Sequence, residues 1–180
     1  SKLKITDIKT TFLFDPEGFV IQDATIPPPN PGAQGRSALF VHIKTDEGVE
    51  GLGVGQGQRA VQAVIEDSLK SLLIGQDPFN IEKLWNDMFW RVRGYGRKGI
   101  AFCAISAVDI GLWDLKAKAL GVPLYRLLGP YQDSVPIYGS GGWTNFDTKR
   151  LIEEQTGYVE RGFKSVKMKV AKDFGQAEAE

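Results

Sequence analysis

Cysteine and histidine are almost missing from this 180-residue sequence: Cys103 and His42 each stand alone. A single thiol cannot close an internal disulfide, so nothing requires an oxidising compartment. A single imidazole, with no Cys or carboxylate cluster at ligand spacing, offers no Cys/His metal site. An excess of either charge is missing as well, because 22 Lys and Arg balance 22 Asp and Glu. Nucleic acid and anionic membrane surfaces select for a basic excess, so neither is expected as a partner. The most apolar run, Ile100 to Leu115, is too short to span a bilayer and carries Asp109 and Asp114. The first residues, Ser1 to Asp7, lack the apolar stretch of a signal peptide. A soluble, cytoplasmic setting is the expectation. What remains is an ordinary globular balance, 42% hydrophobic and 24% charged.

The chain opens in β grammar. Leu3 to Phe14 is rich in Ile, Thr and Phe, and Leu39, Val41 and Ile43 alternate with Phe40, His42 and Lys44. Asp46-Glu47-Gly48 turns the chain back into Val49 to Val54, which predicts a hairpin and three antiparallel strands in all. Between the first two strands, residues 15–37 hold five prolines and three glycines and read as a long loop. Helical spacing follows: Ala60 to Leu73 stopped by Gly75, Ile81 to Val92 behind Asn80 as N-cap, and a nearly all-apolar helix Ile100 to Leu120 ended by Gly121 and Pro123.

After residue 130 the grammar changes. A strand at Val135 to Tyr138, a helix around Leu151 to Val159, a strand at Phe163 to Val170 and the start of another helix form a βαβ pattern, hence parallel sheet. Residues 1–130 are therefore expected to form an α+β domain, and 131–180 the first units of an α/β domain. Two parallel strands cannot cover their own edges, which points to a piece of a longer protein.

Candidate chemistry is sparse. Gly51, Gly53, Gly55 and Gly57 follow a strand, but Gln56 and Gln58 stand where a dinucleotide loop needs glycine. Close approach of the hairpin to another surface is the better account of them. His42 and Cys103 read as structural. Asp109 and Asp114, facing different sides of their helix, read as residues that cap or pair with basic neighbours such as Arg126 or Lys118. Lys167-Met168-Lys169 is the most informative spacing, because i and i+2 of a strand point to one side. On an exposed edge the pair would only guard against aggregation. At the C-terminal end of an early barrel strand it would lie at the active-site mouth. There, crowding of two ammonium groups favours a neutral amine at one of them, and a neutral lysine is a competent general base.

Three features together resemble the enolase superfamily, in its mandelate racemase/muconate-lactonizing branch. They are the hairpin Thr45 to Gly53, the run Ala104 to Lys118 continuing from Gly121 to Gly129, and Lys167-Met168-Lys169. Gly111 stands where that family usually has alanine. The resemblance implies a capping domain over a (β/α) barrel and Mg²⁺-assisted removal of the proton α to a carboxylate. That use of a Lys base with Mg²⁺ is itself a standard description of the superfamily. Carried over, Lys169 would be the base, and Lys167 would stay charged and help bind the substrate carboxylate. Gly55, Gln56 and Trp143 would contact a small carboxylate substrate, and the 15–37 loop would shape specificity. The Mg²⁺ ligands are expected beyond residue 180, so no residue of this sequence is assigned as one. The resemblance further implies a homo-oligomer, and a lyase acting on acid sugars ahead of a racemase, epimerase or cycloisomerase. A non-catalytic binding protein retaining the fold is the rival expectation.

Overall fold

The computed structural model describes residues 3–18, 21–23 and 36–170. Most of the 15–37 loop, and the start of the last predicted helix, lie outside the described residues. The chain divides into two compact units. One takes the residues up to Asp15 with Arg36–Tyr131, and the other the described residues of Pro16–Gly35 with those from Gln132 onward.

In the first unit, β1 (Ile5–Asp15), β2 (Arg36–Thr45) and β3 (Glu50–Gln56) form an antiparallel sheet in that order. Ile8 faces Ile43, and Ile43 faces Gly51, so the apolar alternation is in register across all three strands. Ile5 and Ile8 are an odd number of residues apart yet both are buried. A register shift between Ile5 and Asp7 makes this possible by turning both side chains to the same face.

Helices cover that face. The predicted helix 60–73 is one continuous run in three parts: α1 (Arg59–Ala63), a π-helical stretch (Val64–Leu69) and α2 (Lys70–Leu73). Val61, Ile65, Leu69 and Leu73 are all fully buried at four-residue intervals. In a pure α-helix each such step drifts about 40° around the axis. The wider π turn cancels part of that drift and keeps the four residues on one side. Helix α3 (Ile81–Arg91) follows with Asn80 at its N-cap position, as expected, although the Asn80 side chain makes no capping hydrogen bond. Asp77 accepts from the Phe79 N–H at 2.9 Å instead, so the turn before the helix is satisfied one step earlier.

Helix α4 (Ile100–Ala119) is the centre of the core, burying Ala104, Ile105, Ala107, Val108, Leu112 and Leu115 among others. It lies directly on β3. A Cβ on Gly51 would overlap the Gly111 carbonyl and Leu115, and one on Gly53 would overlap the Ala107 carbonyl. The alternate glycines of β3 are thus the close-approach residues expected of them. Gly111 matches them from the helix side, where a Cβ would press on Ile43. A short helix α5 (Leu124–Leu127), not foreseen from the sequence, follows Pro123.

Asp114 behaves as expected, pairing with Lys118 at 2.7 Å and accepting from the Leu52 N–H at 2.7 Å. It therefore ties β3 to α4. Asp109 does not follow that expectation: Lys118 is taken by Asp114, and Arg126 Nε donates to the Tyr125 hydroxyl. Burial, with a smaller contribution from the Glu82 charge, raises the Asp109 carboxyl above its ordinary value of 3.8. A raised native pKa means stability that is complete below the unfolded value and lost as pH rises through the native one. Asp109→Asn is therefore expected to raise the melting temperature at pH 7 and to match the parent once the pH is below 3.8. Melting curves at both pH values check this.

The second unit holds β4 (Gly139–Ser140), α6 (Thr148–Glu160) and β5 (Val166–Lys167), with β4 and β5 parallel. Pairing sits later than the predicted Val135 to Tyr138 and is shorter than the predicted Phe163 to Val170. Gly139 is where the strand passes under α6, since a Cβ there would overlap Tyr158. Val135 and Ile137 are exposed and lie outside the ladder. Asp147 caps α6 by accepting from the Arg150 N–H. Among the described residues no helix is long and apolar enough to cross a membrane.

Candidate functional site

The two lysines singled out from the sequence stand at the end of the parallel pair in the second unit. The ladder is built from the Gly139 N–H to the Ser165 carbonyl at 3.0 Å and the Gly141 N–H to the Lys167 carbonyl at 3.1 Å. It continues past the formal strand through the Lys169 N–H to the Gly142 carbonyl at 2.7 Å. Lys169 is thereby fixed by its backbone although β5 itself ends at Lys167.

The two side chains take different partners. Lys167 is exposed, with its ammonium 5.9 Å from the centre of the Tyr138 ring. The Lys169 ammonium lies 5.0 Å from the centre of the Trp143 ring and 3.4 Å from an Asp23 carboxylate oxygen. Its side chain is 25% exposed and that of Asp23 16%. An aromatic face and a carboxylate on one ammonium hold it more firmly than either alone. The structure therefore brings Lys169 and Trp143 together and adds Asp23, which sequence reasoning missed.

Asp23 is held in place by its neighbour. The Gln22 carbonyl accepts from the Thr144 N–H at 3.1 Å, and the Gln22 N–H donates to Asn145 Oδ1 at 3.3 Å. A segment more than a hundred positions upstream is stitched to the residues following Trp143. Nothing in the sequence marks Asp23 beyond its being an acidic residue in the proline-rich stretch.

Gly55 and Gln56 belong to the first unit, at the end of β3. With Ser37, Gly57, Phe102 and Cys103 they line a cavity of about 700 Å³. A Cβ on Gly55 would press on Ala107, so the cavity wall is shaped by the same close packing that seats α4. The Ser37 hydroxyl bonds to the Gly57 carbonyl and closes one side. Cys103 is half-buried on the cavity wall, so it is more open than the fully packed thiol expected. His42 forms a cross-strand pair with Glu50 at 2.6 Å, in keeping with a structural role.

The fit of the described residues to a metal is poor. Among them no three His, Cys, Asp or Glu side chains come together as a possible ligand set. Asp23 faces a lysine, and Glu154 faces a backbone N–H. No described residue is assigned to Mg²⁺.

Comparison with known proteins places these features in a family. Residues 31–129 match the family described as mandelate racemase / muconate lactonizing enzyme, N-terminal domain. Over 138 residues the chain is 39% identical to 3,6-anhydro-alpha-L-galactonate cycloisomerase of Streptomyces coelicolor, covering 74% of this chain and 38% of that protein. Over 137 residues it is 39% identical to arabinonate dehydratase of Saccharolobus solfataricus, covering 73% of this chain and 37% of that one. The crystal structure of L-talarate dehydratase from Polaromonas sp. JS666, complexed with Mg and L-glucarate, superposes with a TM-score of 0.83 at 33% identity. That match covers 98% of this chain and 49% of the other. The chain thus spans between about a third and a half of the length of these relatives. With its three-stranded antiparallel sheet packed on α4, it belongs to the mandelate racemase / muconate lactonizing enzyme family and carries that family's N-terminal domain.

Proposed function

We propose that the full-length protein removes the proton α to the carboxylate of a small acid sugar and then expels water. In this reading β4 and β5 are the first two strands of a (β/α) barrel that begins near residue 131. Lys169 takes the α-proton to leave an enediolate, and loss of the β-hydroxyl with a proton as water gives an enol that settles to a 2-keto-3-deoxy acid. Lys167 remains charged and attracts the substrate carboxylate. Trp143 walls one side of the base, and Gly55 and Gln56 shape the substrate end of the capping domain. Mg²⁺ supplies charge stabilisation to the enediolate when bound, and no described residue is given a part in holding it. A homo-oligomeric, cytoplasmic enzyme acting on a small carboxylate, with neither nucleic acid nor membrane as partner, belongs to the same proposal.

The observation that carries this reading is the seating of Lys169 on Trp143 beside a carboxylate at the C-terminal end of a parallel strand pair. The substrate carboxylate is drawn to Lys167, and its arrival parts Lys169 from Asp23. Lys169 then gives its extra proton to solvent and meets the α-carbon as a neutral amine. The second reading, cycloisomerisation, draws on the similarity to the anhydro-galactonate enzyme and shares the α-proton step. The test is incubation of the full-length protein with Mg²⁺ and a panel of aldonic, aldaric and anhydro acids in D₂O. The expected result is loss of an α-proton resonance together with a keto-deoxy product. Deuterium entry without loss of water would favour isomerisation, and no entry across the panel would overturn the proposal.

A further inference from the structure

Glu154 lies on the face of α6 turned toward the strands. The half-buried side chains Leu151, Glu154, Gln155 and Tyr158 share that stripe at i, i+3, i+4 and i+7 spacing. Apolar residues would be expected throughout such a stripe, and a carboxylate within it needs a partner. It has one. Glu154 Oε2 accepts from the Gly142 N–H at 2.6 Å. The strand makes room for it, since a Cβ on Gly141 would overlap the Glu154 carboxylate. Gln155 Nε2 donates to the same oxygen at 3.4 Å.

Gly142 is the junction of the candidate site. Its carbonyl accepts from the Lys169 N–H at 2.7 Å, and the next residue, Trp143, carries the ring beneath the Lys169 ammonium. Gly142 also has φ +60°, a conformation that costs a residue with a side chain, and a Cβ there would overlap Met168. The two peptides that meet at its Cα are each held from outside: the Gly141–Gly142 peptide by Glu154 through the Gly142 N–H, and the Gly142–Trp143 peptide by the Lys169 N–H through the Gly142 carbonyl. A carboxylate accepting from a backbone N–H is a stronger and shorter tie than a neutral acceptor gives.

We infer that Glu154 is a positioning residue: by holding the Gly141–Gly142 peptide it fixes the turn at Gly142, and with it the next peptide, which sets where Lys169 and Trp143 stand relative to each other. The inference rests on the proposed role of Lys169 as base. Loss of the tie would free the Gly141–Gly142 peptide, let the backbone at Gly142 turn, and shift the amine through the Gly142 carbonyl. Displacement of a reacting group by about 1 Å can cost about a hundredfold in rate.

The experiment compares Glu154→Ala, Glu154→Gln and Lys169→Ala in the full-length protein. It measures kcat and KM for α-deuterium exchange, the folded fraction by circular dichroism, and hydrogen exchange of the peptide containing the Lys169 amide. Glu154→Ala is expected to lower kcat about tenfold or more, leave KM within about twofold, and speed exchange at the Lys169 amide. Glu154→Gln keeps an acceptor and is expected to restore kcat to within about threefold of the parent. Parent-like kcat in Glu154→Ala beside an inactive Lys169→Ala would overturn this inference alone. So would a loss that follows the folded fraction, or a glutamine variant that fails to rescue. Full exchange activity in Lys169→Ala would overturn the base assignment and this inference with it.

Discussion

Lys169→Ala is expected to lower the rate of α-deuterium exchange in the full-length protein by about 10²–10⁴-fold, the range a positioned general base supplies. The loss should fall on kcat, with KM changed little, because the amine works on the reacting proton rather than on the bulk of the substrate. The contrast with Lys167→Ala makes the result specific. Lys167 is exposed and rests on Tyr138, and its proposed work is to attract a carboxylate. Its removal is expected to act mainly through KM, and more strongly at low ionic strength than at high, since exposed charges are screened by salt. Stopped or quenched exchange read by NMR for both variants checks this. If Lys169→Ala exchanges like the parent, or if the two variants show the same kinetic pattern, the division of labour between the lysines is wrong.

Sequence periodicity resolved the first unit well, for a definite reason. Val41 and Ile43 alternate with polar residues on β2, and the seam Val61, Ile65, Leu69, Leu73 repeats along the first helical run, so burial follows pattern directly. The β3 glycines were also readable, because small residues at alternate strand positions have little use except close approach. The π stretch was not, since four-residue spacing alone does not tell a drifting α-helix from a corrected one. Nor was the lack of a side-chain bond from Asn80 at its N-cap position, where Asp77 competes for the same turn.

The candidate site was half legible for a different reason. Lys167 and Lys169 are i, i+2 neighbours, so their spacing is visible in one short string of residues. Asp23 reaches Lys169 from the far side of a proline-rich segment, and Glu154 reaches Gly142 from the middle of a helix. Both are acidic residues in ordinary surroundings when read along the chain. Only three-dimensional contact separates them from the other carboxylates. The reading of Lys169 as crowded mainly by Lys167 changes accordingly: its contacts are a ring and a carboxylate.

Gly53→Ala is expected to cause a large loss of stability in the first unit. Its Cβ would land on the Ala107 carbonyl and press on the Gly111 N–H, which are backbone atoms of α4. A side chain in the way can change rotamer, whereas a helix backbone can yield only by moving the whole helix. Overpacking costs about 1–3 kcal/mol where side chains can adjust, and occasionally more, so about 3 kcal/mol or more is expected here. Sliding β3 instead is blocked, because Gly53 is paired with Val41 and Leu52 is tied to Asp114 on α4. Gly94→Ala is the matched control: a Cβ there meets nothing within 4 Å, and the change is expected to stay within about 0.5 kcal/mol. Thermal melts of both variants decide the matter, and a parent-like melt for Gly53→Ala would mean that α4 is not seated on β3. The same substitution should also reach the cavity. Gly55 and Gln56 continue β3 past the clash, so a strand forced off α4 carries that wall outward and loosens the contact of Gly55 with Ala107.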